Sequence, residues 1–394
     1  MDSVSYDISY EVLTIKLSGH IDSLNASQVE EQIKAIREDR KEMPVVIDME
    51  KLEYISSAGL RIILRLLQEG KDVKIINVSS EVYEVLEMTG FTEMMEVKKA
   101  YRVISIENAE VIGQGANGKI YRIDRDTIVK VFLEPDSLDE IQHERELART
   151  AFVLGVPSAI PYDVVRIASG GYGSVFELLN AKSLGDLLKN GERTVDEIVK
   201  MSIDLLKIIH GTVIKPDTMP DMKNIALDWA DFLKDHLTAD QWRKLHDLVA
   251  AVPDDDHMIH GDYHIKNVML QNGECLLIDM DTLCHGHPVF ELASMFNAYG
   301  GYAETDHNVI RDFLGVSYET GVEFFDKSLR AYLNSEDDEF IKTVKEKAQI
   351  VGYARMMRRS IRRNGLNTEA GRKEIENCRQ HLADLLLRVD TLTF

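Results

Sequence analysis

Cysteine is scarce in this chain: Cys275, Cys284 and Cys378 are the only three among 394 residues. Three thiols build no paired framework. This excludes a disulfide-stapled scaffold and suits a reducing compartment, so a cytoplasmic location is expected. Long apolar runs are missing as well. No stretch approaches the roughly 20 residues that span a bilayer. The opening MDSVSYDISYEV lacks the basic start and apolar core of a secretory signal, so neither membrane insertion nor export is expected. Basic charge is in deficit: 46 Lys and Arg stand against 67 Asp and Glu, a formal net charge of −21. That balance argues against nucleic acid as a partner and favours solubility. Internal repeats, low-complexity tracts and a Pro- or Ser-rich spacer are absent too. The length predicts two domains, the larger able to bury its own core.

Residues 1–99 read as short strands alternating with helices. Val12-Leu13-Thr14-Ile15-Lys16-Leu17 alternates polar and apolar, and residues 27–39 form an amphipathic helix. Val45-Val46-Ile47-Asp48-Met49 and residues 73–78 read as strands, with an apolar helix over 60–68 between them. Gly70 and Gly90 fall where helices should end. Strands that cross over through helices predict a small α/β module. Its informative spot is Tyr54-Ile55-Ser56-Ser57-Ala58-Gly59-Leu60, a Ser-Ser pair opening the apolar helix. A serine there has an ordinary role as an N-cap for free backbone N–H groups.

From residue 100 onward the signals change. Val111-Ile112-Gly113-Gln114-Gly115-Ala116-Asn117-Gly118 carries a G-x-G-x-x-G string, which alone is also compatible with a dinucleotide fingerprint. The flanks separate the two readings. A dinucleotide loop opens into a helix, whereas Lys119-Ile120-Tyr121-Arg122-Ile123 alternates as a strand does. Strand, glycine turn, strand is the flap of kinases, in which Gly113, Gly115 and Gly118 let backbone approach phosphates. Thr127-Ile128-Val129-Lys130-Val131-Phe132 then sets one lysine in an apolar run. A buried ammonium needs anionic partners, here phosphates and a carboxylate from the following helix. Glu144 shares a helical face with Leu147, Ala148 and Ala151, while Glu146 lines up with Arg149 and Thr150, so Glu144 is the expected partner.

Farther on lies His260-Gly261-Asp262-Tyr263-His264-Ile265-Lys266-Asn267, followed by Leu277-Ile278-Asp279-Met280-Asp281. Phosphoryl transfer needs a group to take the acceptor's proton and oxygen ligands to hold Mg²⁺ on the nucleotide phosphates. The reading assigns Asp262 as base, with Asn267 and Asp279 as metal ligands and Asp281 as a further ligand or a group behind them. The implied cofactors are ATP, or another nucleoside triphosphate, and Mg²⁺.

Two resemblances follow from these strings. The region from about Tyr101 onward resembles the aminoglycoside phosphotransferase and choline kinase group of the protein-kinase-like superfamily. HGDYHIKNVML is similar to that group's HGDLHPGNIL, and GHPVFELASMF is similar to its G-x-P-x-x-D-L-A segment, with Glu291 where Asp is usual. The chain fits protein kinases less well, having H-G-D for H-R-D and neither D-F-G nor A-P-E. Residues 1–99 resemble the STAS domain of anti-sigma factor antagonists, through Gly19-His20-Ile21-Asp22, VVIDM and the Ser-Ser pair. In that family a D-S-x-G-L serine is phosphorylated by an anti-sigma kinase. Carried over, Ser57 is the candidate phosphosite, against its reading as a helix cap, and Ser56 replaces the usual Asp. The implied fold is an α/β STAS-like sheet followed by an α+β two-lobed kinase-like domain, 100–394, with lobes of about 100–180 and 181–394. The implied function is phosphorylation of a small-molecule hydroxyl, with a protein partner for the STAS part. The alternative is a signalling module whose kinase-like part only binds nucleotide.

Other features read as structural. Cys284-His285-Gly286-His287 has metal-ligand spacing but no second pair nearby. Arg355, Arg358, Arg359, Arg362 and Arg363 form a basic patch expected to pair with the chain's own acidic surface. His260 and His264 are expected to hydrogen-bond the loop backbone. The acceptor pocket is expected to use the region of about 217–237, where Asp228 and Asp231 would suit a cationic substrate, and the helices after Asp279.

Overall fold

A computed structural model describes residues 3–9, 12–69, 72–114, 118–134, 137–215 and 218–394. The chain divides into two units: Met1–Ser105 with Val164–Gly170, and Ile106–Asp163 with Gly171–Phe394. In the first unit the elements run β1 (Val4–Ser9), β2 (Val12–Ile21), α1 (Ala26–Arg37), β3 (Val45–Ile55), α2 (Ser57–Gln68), β4 (Val73–Val78), α3 (Ser80–Met88), α4 (Phe91–Met94), β5 (Val97–Lys99) and β6 (Arg102–Ile104). Strands β1 to β5 form one sheet in chain order; β1 pairs antiparallel with β2, and all other pairs are parallel. Parallel neighbours need crossovers, which the helices supply. Alternation along β2 buries Leu13, Ile15 and Leu17, which share a core with Val45, Ile47 and Met49 of β3 and with Ile62, Ile63 and Leu66 of α2. The first strand, β1, has no counterpart in the sequence reading.

The second unit starts with β7 (Glu110–Gln114), β8 (Gly118–Arg122), β9 (Thr127–Phe132) and α5 (Leu138–Val153). Between α5 and β11 the chain forms β10 (Asp163–Ile167), which belongs mostly to the first unit and pairs in parallel with β6. Strand β11 (Tyr172–Glu177) pairs antiparallel with β9, and β9 with β8 and β8 with β7 in the same sense. A largely helical part follows: β12 (Lys182–Ser183), α6 (Leu184–Lys189), α7 (Val195–His210), α8 (Met222–Phe232), α9 (Ala239–Ala250), β13 (Met258–Ile259), β14 (Val268–Gln271), β15 (Glu274–Leu277), β16 (Cys284–His285), α10 (Val289–Tyr299), α11 (Asn308–Leu314), α12 (Tyr318–Leu333), α13 (Asp338–Arg362) and α14 (Glu369–Leu386). Every residue of α10 is buried, as expected of a mostly apolar helix that runs through the centre of a core. Helix α13 packs on α10, α14 and α8. Among the described residues no helix is long and apolar enough to cross a membrane.

Candidate active site

Two short strands carry the turn that bears Asp262. Strand β13 pairs with β16, and the chain then turns through His260–Asn267 into β14. Gly261 makes the bend at φ +80, and a Cβ there would stand 2.6 Å from the Thr282 carbonyl oxygen. No residue but glycine suits both constraints. The turn is held from below by Glu291, the one charged residue of α10, which is fully buried. Its carboxylate accepts hydrogen bonds from the backbone N–H of His260, from Gly261 at 3.1 Å and from Tyr263 at 3.4 Å. Burial works against this charge. His210, with Nε2 3.7 Å away, and the turn's own donors outweigh burial and keep the carboxyl below its usual range. The Tyr299 hydroxyl accepts from Ile265 N–H at 2.9 Å, and the Tyr263 hydroxyl donates to the Ser202 carbonyl at 2.6 Å.

Asp262 stands out from this scaffold with 46% of its side chain accessible. His260 Nδ1 accepts its backbone N–H at 3.2 Å, a scaffold role matching the reading of that histidine. His264 Nε2 lies 3.7 Å from Asp262 Oδ2, and burial pulls its pKa down to about 4, so the imidazole is neutral beside the acid. Arg355 of α13 reaches the same turn. One guanidinium nitrogen donates to the Gly261 carbonyl at 2.6 Å and the other lies 3.7 Å from Asp262 Oδ1.

A hairpin brings the expected metal ligands together. Strands β14 and β15 pair antiparallel with Gln271 opposite Glu274, leaving a two-residue Asn272-Gly273 turn with φ of 52 and 87. Positive φ at both residues is the geometry that Asn-Gly favours in tight hairpins. One step past Val268↔Leu277, Ile278 N–H donates to the Asn267 carbonyl at 2.9 Å, which sets Asn267 beside the residue preceding Asp279. The Asn267 side-chain NH₂ donates to the Asp262 carbonyl at 3.2 Å, and its Oδ1 takes no hydrogen bond among the described residues. Asp279 adopts φ +63, a conformation that costs a non-glycine residue energy and is a common mark of functional positions. A carboxylate and a free carboxamide oxygen are hard donors of the kind Mg²⁺ takes in small number. Among the described residues no group of three or more His, Cys, Asp or Glu is placed to hold a metal, and the Cys284-His285-His287 cluster does not converge.

Lys130 of β9 joins the two parts of the unit. Its Nζ lies 2.9 Å from Glu144 Oε1 and 2.8 Å from Asp279 Oδ1. Glu144 is the inward-facing acid of α5, as its helical position implies. Burial opposes the lysine's charge, but the Asp279 and Glu144 carboxylates outweigh it and hold the pKa above the ordinary lysine range. Burial acts on Asp279 in the same way, and Lys130 overrides it to keep that acid ionised. Burial and then the neighbouring Asp279 charge push Asp281 upward. Gly113 and Gly118 sit on facing strands β7 and β8, and a Cβ on Gly118 would meet the Val131 carbonyl oxygen at 2.5 Å. Gly115 lies outside the described residues.

Two expectations need correction. The cap of α2 is Ser56, whose hydroxyl accepts from Ala58 N–H at 3.2 Å; Ser57 is the first residue of the helix and is exposed. The residue ahead of a helix, in extended φ and ψ, aims its side chain at the free N–H groups, so the cap fell one position earlier. The basic patch does not pair with the acidic surface: among the described residues, Arg355 alone of the five meets a carboxylate within 4.0 Å, that of Asp262. Glu291 and Arg355 had no site role in the sequence reading.

Family models match both parts of the chain: a STAS domain at residues 3–103 and the phosphotransferase enzyme family at 108–323. A Bordetella bronchiseptica protein described as an anti-sigma factor antagonist, BtrV, is 36% identical over 85 residues, 21% of this chain and 72% of that protein. The anti-sigma-B factor antagonist of Staphylococcus aureus is 26% identical over 107 residues, 26% of this chain and 95% of that protein. Among solved structures, a GDP complex of an aminoglycoside 2′-phosphotransferase-IIIa variant aligns at TM-score 0.50 and 13% identity, covering 77% of this chain and 97% of that one. A GDP and kanamycin complex of APH(2″)-IIIa aligns at TM-score 0.50 and 13% identity, covering 77% and 99%. At such identity the likeness is one of fold: a protein-kinase-like architecture.

Proposed function

Because this chain belongs to the phosphotransferase enzyme family and carries an amino-terminal STAS domain, we propose that it transfers the γ-phosphoryl group of ATP, or of another nucleoside triphosphate, to a small-molecule hydroxyl. The observation that carries this reading is the meeting of Lys130 with Glu144 and Asp279, alongside Asn267 tied to the backbone of Asp262. Nucleotide use is supported by the GDP named for two solved structures of like fold.

In this reading Asp262 orients the acceptor hydroxyl and takes its proton as the oxygen attacks the γ-phosphorus. Its partial exposure leaves it open to substrate, and Glu291 and Arg355 hold the turn that carries it. Lys130, fixed by Glu144, presents a permanent positive charge to the phosphates. Gly113 and Gly118 would let the backbone of β7 and β8 lie close to those phosphates. Asn267 and Asp279 would hold Mg²⁺, which when bound neutralises charge on the phosphate oxygens. Positioning and charge neutralisation then supply most of the rate.

Ser57 belongs to the other unit. It stands exposed on the first turn of α2 and is free of the capping duty that Ser56 performs. We assign it as the candidate phosphosite, and its face as the docking place of an anti-sigma factor-like protein. A phosphate there would be favoured by the positive helix end and would repel an acidic partner surface.

Phosphoryl transfer from radiolabelled ATP across a panel of hydroxyl compounds tests the enzymatic reading. Asp262→Ala should lower turnover roughly 10²–10⁴-fold. Equal rates for the variant and the parent would favour a unit that only binds nucleotide. Mass spectrometry of the Ser57 peptide after incubation with a cognate anti-sigma kinase tests the second assignment, and an unmodified serine would count against it.

A further inference from the structure

Helix α13 carries Arg355, Arg358, Arg359, Arg362 and Arg363, a density of basic residues unusual in a chain of net charge −21. The first four stand at i, i+3, i+4 and i+7 and so share one face, while Met356, Met357 and Ser360 fill the core side. Arg355 is spent on the catalytic turn. Among the described residues, the side chains of Arg358, Arg359, Arg362 and Arg363 have no carboxylate within 4.0 Å and make no hydrogen bond. Arg358 Nε is buried and unpartnered. Burial and the adjacent Arg362 both pull the Arg358 pKa down, with Asp228 acting in the opposite sense from beyond ion-pair distance. Glu374 is the other acid near the row: burial pushes its pKa up in spite of Arg359 and Arg363.

What the guanidinium groups do have is aromatic backing. Arg355 lies 5.5 Å from the centre of the Trp229 ring, Arg358 5.6 Å from Phe232 and Arg359 4.7 Å from Tyr302. Trp229 and Phe232 are one turn apart on α8, so the two helices set the cations in register. An aromatic ring backs each of these cations, and the side-chain N–H groups of Arg358 and Arg359 are free to bind a planar or tetrahedral oxyanion. Holding like charges side by side is unfavourable, and an anion settling among them would relieve the repulsion. The row begins at the residue touching Asp262, so that anion would sit on the acceptor side of the site, away from Lys130.

We propose that the phosphoryl acceptor is a small anionic hydroxy compound, its hydroxyl at Asp262 and its carboxylate or phosphate on Arg358 and Arg359, about 6 Å along α13. This rests on the phosphotransferase reading above. The hydroxyl oxygen forms the new bond to the γ-phosphorus, the bond from that phosphorus to the β,γ-bridging oxygen breaks, and ADP leaves with the electron pair. The hydroxyl proton passes to Asp262. The chemistry selects a hydroxy acid or a sugar phosphate and disfavours polycationic amino sugars.

The test uses the full chain and three acceptor groups: anionic (glycerate, glycerol 3-phosphate, glucose 6-phosphate), neutral (glycerol, glucose) and cationic (ethanolamine, choline, kanamycin). Calorimetry with the non-hydrolysable analogue AMP-PNP present measures binding, and radiolabelled ATP measures transfer. At least one anionic compound should bind at one equivalent. The double variant Arg358→Gln/Arg359→Gln should weaken that binding tenfold or more, whereas Arg359→Lys should retain most of it. Where transfer occurs, the double variant should raise KM for the anion and leave kcat within a few-fold. Failure of every anion to bind, binding indifferent to the double variant, or Asp262-dependent transfer confined to neutral or cationic compounds would each overturn the proposal. Anion binding that depends on these arginines, without any Asp262-dependent transfer, would support the anion site and instead remove the enzymatic reading on which it was built.

Discussion

Glu291 decides the shape of the Asp262 turn from within the core. It is wholly buried and accepts from three backbone N–H groups, so its loss strands donors that water cannot reach. Glu291→Ala should lower the unfolding free energy by roughly 3–5 kcal/mol, as breaking a buried charged contact does. Denaturant titration measures this, and a loss under about 1 kcal/mol would show that the turn stands without it. The sequence marked this position as a departure from the family's Asp but could not assign its partners, because they lie about thirty residues upstream on a different element. Arg355 was hidden for the same reason at greater separation. Lys130 and Glu144 were legible because they are 14 residues apart and each is an ionisable group on an apolar face. The thiols offer a further test at this scale. Burial raises Cys284 and Cys378 well above the ordinary thiol range, and it raises half-buried Cys275 as well. A disulfide reagent should therefore label at most one thiol in the folded protein and three after denaturation; prompt labelling of two or more in the folded state would contradict the packing.

Among the elements, local periodicity located most strands and helices of the first hundred residues, and their chain order revealed the crossovers. It did not reveal β1, whose Val4–Ser9 stretch is short and exposed on all but one residue, and which is a strand because β2 pairs with it. Helix boundaries were another weak point. The pair Ser56-Ser57 marks the start of α2, yet which serine caps depends on backbone angles that a sequence does not display. Ser56→Ala should cost about 1 kcal/mol of stability, while Ser57→Ala should stay within about 0.5 kcal/mol. Thermal melts of the two variants give the comparison, and equal losses would mean that the cap is shared. The Asn272-Gly273 turn was readable but went unused, although it is what carries Asn267 to the side of Asp279.

For the whole molecule, the kinase-type part could be read from the ordered Gly loop, lysine strand, acidic helix, H-G-D turn and I-D strings, and the STAS part from VVIDM and the Ser-Ser pair; the family matches agree with both. The limits of the two units are less simple than a cut near residue 99. Strand β6 finds its parallel partner in β10, with Arg102 opposite Val165 and Ile104 opposite Ile167, and residues 164–170 belong to the first unit. A fragment ending at residue 105 should consequently lose hydrogen-exchange protection at residues 102–104 while keeping it in β2, β3 and β4. Full protection at 102–104 in that fragment would show that β10 is dispensable.

The pairing of β6 with β10 also has a consequence for biosynthesis. Chains emerge from the ribosome amino end first, and early domains usually finish folding before later ones appear. Here β6 cannot close its parallel pair until residue 167 has been translated, after β7, β8, β9 and α5 are already outside. Strand β6 thus waits for its partner while the segments between them emerge, and the order of folding is braided where a simple fusion of two domains would fold one after the other.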